Sequence, residues 1–127
     1  LFMGELYIRR TFPAMRTGYP TEWVETINNA LAMDVTWYVP GHGFIEDAET
    51  MKNELIEARK SIEFVNAEAK RLYEAGVPCE MASPDGGDTC EAAEQADWGP
   101  YESWTMRAAL EPFAVVKMYQ EIEGRLP

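Results

Sequence analysis

Seven apolar residues, three or four positions apart, set the main constraint on this chain. Met51, Leu55, Ala58, Ile62, Val65, Ala69 and Leu72 form one continuous seam, as a helix with a single buried face requires. The spacing predicts a helix over residues 48–75, which at 1.5 Å per residue runs to ~40 Å. Asp47 is placed to cap its start, with Glu49 in the first turn facing the positive end of the helix dipole. Gly76 ends it and Pro78 prevents a restart. A seam this regular must be covered, either by the rest of the chain or by another helix in a coiled-coil pairing. At 127 residues the chain has the size of one domain, spanning 1–127, able to bury its own core.

The flanking segments are shorter. Residues 1–10 read as a strand or hairpin ending in Arg9 and Arg10. That pair either sits solvated at a strand end or holds a substrate carboxylate in its planar forks. Residues 11–20 form a loop interrupted by Pro13, Gly18 and Pro20, where Tyr19 either lines a pocket or packs beneath the loop. Residues 21–33 predict a helix capped by Thr21, with Trp23, Ile27, Ala30 and Leu31 buried and Asn28 and Asn29 facing out. Val35, Thr36, Trp37, Tyr38 and Val39 all favour strands and alternate in character. Pro40 cannot continue a ladder and stops that strand. Phe44 and Ile45 are expected to turn inward before the next helix. Residues 77–100 are rich in turns, with Thr89 capping a short helix through Ala96. Asp85, Asp88 and Glu91 lack the spacing of a calcium-binding loop. Residues 101–124 predict a helix kinked or restarted at Pro112.

The formal net charge is -11 and the pI about 4.5. Such a surface repels phosphate backbones and anionic membranes, so neither nucleic acid nor membrane is an expected partner. No apolar run approaches the ~20 residues of a membrane-spanning helix. Cys79 and Cys90 lie in a turn-rich stretch where a bridge is geometrically open. Free thiols in a reducing cytoplasm are the preferred expectation.

His42 is the only histidine. It lies in Pro40-Gly41-His42-Gly43, directly after the predicted strand, between glycines that permit unusual backbone angles. This stretch resembles the last metal-ligand motif of the metallo-β-lactamase-fold hydrolases, in which a strand ends in Pro-Gly-His-Gly. Upstream, Leu1-Phe2-Met3-Gly4 is similar to the end of that family's Gly-Asp-x-x-Phe strand. Pro13, Gly18 and Trp23 precede an amphipathic helix, as is usual there, and a long helix follows. The resemblance covers about residues 1–75. The family's His-x-His-x-Asp-His motif, its further histidine and its bridging aspartate are missing, and the aspartate would fall just before Leu1. A start at Leu1 instead of methionine agrees with that expectation.

The resemblance implies an α/β fold, the C-terminal half of an αββα sandwich with few strands and several helices, in which the long helix covers the sheet. It implies that His42 is a ligand of the second of two zinc ions, which activate water against a small-molecule substrate. Glu46 or Asp47 would orient its ring if they do not merely lead into the helix. A zinc site needs three or four protein ligands, so this chain alone is expected to be an inactive fragment of a metal-dependent hydrolase. Half a sandwich leaves an apolar sheet face, which implies a homo-oligomer or a missing N-terminal half as partner. The competing expectation is a self-contained helical binding or assembly protein in which His42 meets no metal.

Overall fold

The computed structural model describes residues 1–81 and 90–127. Its four helices are α1 (Pro20–Leu31), α2 (Ala48–Glu74), α3 (Glu91–Gln95) and α4 (Arg107–Ile122). Helix α2 is the axis of the molecule, and α1, α3 and α4 all pack on it. All seven seam residues are buried. The Asp47 carboxylate accepts from the Thr50 amide at 2.9 Å, which satisfies one of the donors a helix start leaves open. At the other end Gly76 takes a left-handed φ of +76°. Its amide reaches the Tyr73 carbonyl, and the Val77 amide reaches that of Leu72. This paired closure uses the glycine for the one conformation that side chains resist.

Helix α1 starts one residue before its expected cap. Pro20 occupies its first turn, where a missing amide hydrogen costs nothing and φ is already set. Thr21 therefore lies inside the helix, and its amide bonds to Glu121 at 3.1 Å. Helix α4 begins only at Arg107, after Met106 turns the chain with φ 62°. It then runs through Pro112 without a restart. Its buried residues are Leu110, Ala114, Val115 and Tyr119. Trp98, just ahead of a 3-10 turn at Gly99–Tyr101, is almost fully enclosed and meets Phe12 edge-on at 5.1 Å. The expected cap at Thr89, and the Asp85 and Asp88 carboxylates, fall outside the described residues.

The expected αββα half-sandwich is not the fold. Among the described residues there is no sheet, only three isolated parallel bridges, Phe2 with Val39, Ile8 with His42, and Thr11 with Thr105. The pairing starts as a parallel ladder should. The Met3 amide reaches the Val39 carbonyl at 2.9 Å, and the Val39 amide reaches the Leu1 carbonyl at 2.8 Å. It then breaks because Gly4–Leu6 coil into a 3-10 turn, with Gly4 at φ 54°, and resumes only at Ile8. The 35–39 stretch is extended but gains no continuous ladder. Tyr38 is its buried residue and Trp37 is exposed. The Tyr38 hydroxyl donates to the Ala30 carbonyl at 3.0 Å, which draws that ring inward under the end of α1. Phe44 and Ile45 also depart from expectation, at 87% and 60% exposure.

The two cysteines form a disulfide, Cys79–Cys90, not the expected pair of free thiols. It ties the segment leaving α2 to the start of α3. The Ala92 amide adds a bond to the Pro78 carbonyl at 3.0 Å. None of the described helices is long and apolar enough to cross a membrane.

Candidate functional site

His42 sits in a turn built by backbone pairing. The Arg9 amide bonds the His42 carbonyl at 3.1 Å, and the Gly41 amide lies within reach of the carbonyls of Gly4 and Tyr7. Residues 1–9 thus fix the turn from one side. On the other side the chain leads through residues 44–46 to the Asp47 cap of α2. The space beside the turn's two glycines is tight. A Cβ on Gly41 would lie 2.6 Å from the Gly4 carbonyl oxygen, and one on Gly43 would lie 2.7 Å from the Arg9 Cβ. Gly43 also holds φ +116°, a region that disfavours side chains. We expect Gly41→Ala to lower the unfolding free energy by about 2 kcal/mol, because the opposing atom is backbone and cannot rotate away. Urea denaturation followed by circular dichroism would measure it, and an unchanged midpoint would show that the turn yields freely.

The imidazole itself points outward. Its Nε2 lies 2.9 Å from the Glu5 carboxylate, and the two side chains are 70% and 72% exposed. So open a pair contributes little to stability, and both groups stay accessible to a ligand. Glu5 is the residue that sequence reasoning missed. It is presented by the 3-10 turn at Gly4–Leu6, which has no periodic signature. The two carboxylates expected near His42 are occupied elsewhere, Asp47 at the helix cap and Glu46 with Arg9.

Beside the turn lies a nearly self-neutralising cluster. Arg10 grips Glu54 through Nε at 3.1 Å and through its terminal nitrogen at 2.7 Å. Arg9 approaches the same carboxylate at 3.5 Å, pairs with Glu46 and donates to the Phe44 carbonyl at 2.9 Å. Arg10, and secondarily Arg9, hold the Glu54 carboxyl below its usual range against the opposing effect of burial. The two guanidinium groups are thereby committed to the protein's own carboxylates and anchor residues 9 and 10 to α2. The Tyr7 hydroxyl makes a further anchor, donating to the Met51 carbonyl at 3.1 Å. Burial first, then the Glu54 charge, push its pKa up to about 12, so it stays a neutral donor at ordinary pH.

The donor set can be tested against a catalytic zinc ion. His42 and Glu5 make two adjacent donors, and no group of three His, Cys, Asp or Glu side chains is suitably placed among the described residues. Catalytic zinc takes three protein ligands. The described residues therefore do not fit a complete zinc site. No protein-family model, characterised protein or solved structure matches this chain.

Proposed function

We propose that this chain belongs to a metal-dependent hydrolase and supplies one imidazole, His42, to a two-zinc site whose remaining ligands come from outside these residues. The observation that carries the reading is the presentation of His42. The backbone of its glycine-flanked turn is pinned to residues 4–9, while its ring stands in solvent beside a carboxylate. A histidine kept for packing would be enclosed, and this one is not. The role of this chain is to position that ring through the Gly41 and Arg9 backbone contacts and to orient it against Glu5. Taken alone, the chain is inactive. Exposed Phe2, Trp37, Phe44 and Ile45 give a ligand-bearing partner, or a second copy of this chain, apolar surface to cover. The Cys79–Cys90 bridge supports an oxidising compartment over the reducing cytoplasm that free thiols would suit.

Metal analysis tests the reading. A longer natural chain that carries a His-x-His-x-Asp-His run upstream should bind two zinc ions, and His42→Ala should remove one of them. Equal zinc content in the two proteins would sink the proposal, as would stoichiometric zinc bound by residues 1–127 alone.

The second reading, a helical binding or assembly protein, draws on the absence of a sheet among the described residues and the central place of α2. It predicts no metal in either protein.

A further inference from the structure

A groove of about 370 Å³ opens beside α1 and the Gly4–Leu6 turn, within the size range of small-molecule sites, roughly 300–1,000 Å³. Tyr19 and Trp23 line it, Glu5 and Glu22 supply its carboxylates, and no lysine or arginine is among its lining residues. Both rings have their polar tips already bound. The Trp23 indole N–H donates to the Leu6 carbonyl at 3.0 Å, and the Tyr19 hydroxyl donates to the Pro127 carbonyl at 2.7 Å. The rings are therefore held in place before any ligand arrives, which lowers the ordering cost of binding. What they offer a ligand is π-surface, with no unspent polar tip. Gly18 brings the backbone close beneath the groove, where a Cβ would lie 3.0 Å from the Met15 Sδ and 3.7 Å from the indole Cε3.

Aromatic faces attract cations, most strongly poorly hydrated ones. Carboxylates at the same groove add charge of the matching sign, and the net charge of -11 favours the approach of a cation from a distance. Anions meet repulsion from every one of these groups. A hard metal ion seeks several oxygens in direct contact, and the two rings do not provide them. We propose that this groove binds a small organic cation, an alkylammonium head apolar enough to lie against Tyr19 and Trp23 while its charge faces Glu5 and Glu22. The inference needs no metal at His42, but the two sites share Glu5, whose carboxylate also meets the His42 Nε2 at 2.9 Å.

Choline chloride titrated into the full chain tests it, followed by calorimetry and by the indole N–H resonances. The control is 3,3-dimethylbutan-1-ol, an uncharged molecule of the same shape, at matched ionic strength. Saturable choline binding with a millimolar dissociation constant is expected, and the neutral alcohol should bind at least ~5-fold more weakly. Glu22→Gln, on an exposed position of α1, should weaken choline ~3-fold with the circular dichroism spectrum unchanged. Tyr19→Leu, also exposed, should weaken it by a similar factor. Equal affinity for choline and the alcohol overturns the proposal. So does an unaltered affinity in both variants, or no saturation by ~100 mM choline.

Discussion

Replacing Trp98 with alanine is expected to lower the unfolding free energy by about 4 kcal/mol. The indole is 1% exposed and meets Phe12 edge-on, and its N–H donates to the Glu111 carboxylate at 2.8 Å. Truncation removes a large apolar area and leaves a void between the loop before α1 and helix α4. It also takes a donor from Glu111, which keeps Arg107 as its other partner. Against a total stability of about 5–15 kcal/mol for a domain of this kind, such a loss brings the protein close to unfolding. The melting temperature should fall by roughly 15 °C. Trp98→Phe keeps an aromatic ring against Phe12 and loses the hydrogen bond, so about 1–2 kcal/mol is expected there. Urea denaturation of both variants measures the difference. A loss under about 1 kcal/mol in the alanine variant would contradict the packing described.

Reduction of Cys79–Cys90 should cost about 3 kcal/mol, the chain-entropy value for closing a loop of this length. The bridge spans a sequence separation of 11 and holds Cys90, itself buried, at the N-cap of α3. That helix has only five residues, far too few to persist without tertiary support. Its loosening should therefore accompany reduction. Thermal melts with and without dithiothreitol should differ by roughly 10 °C, and a thiol reagent added to the denatured, unreduced protein should find no free sulfhydryl. Identical melts, or two titratable thiols, would restore the free-cysteine expectation.

The helical part of this fold was legible because it repeats. The α2 seam, the Asp47 cap and the Gly76 stop each rest on periodicity or local backbone chemistry, and each lies where the pattern placed it. The extended parts were not legible. Val35 to Val39 carry residues that favour strands, yet a strand exists only where a neighbour completes its ladder. The partner at residues 1–3 coils away at Gly4, and the resemblance that supplied an αββα sheet could not register that turn. At Pro112 the restart, one of the two expected outcomes, does not occur, for a different reason. A proline suggests an interruption, but the packing of Leu110, Ala114 and Val115 carries α4 past it. At the candidate site, His42 was legible as a lone imidazole among glycines. Glu5 was not, because nothing links positions 5 and 42 except the return of the chain. Arg9 and Arg10 read as either a solvated pair or a grip on a substrate carboxylate, and it is Glu54, a charged residue within the apolar face of α2, that engages them.

The sulfur link between the end of α2 and the start of α3 also decides what a protease can do to this molecule. Hydrolysis of a single peptide bond anywhere from Cys79 to Cys90 opens a ring and leaves both pieces on one covalent framework. Such a nicked protein keeps the mass of the whole plus one water, and its parts separate only when a reductant and a denaturant act together.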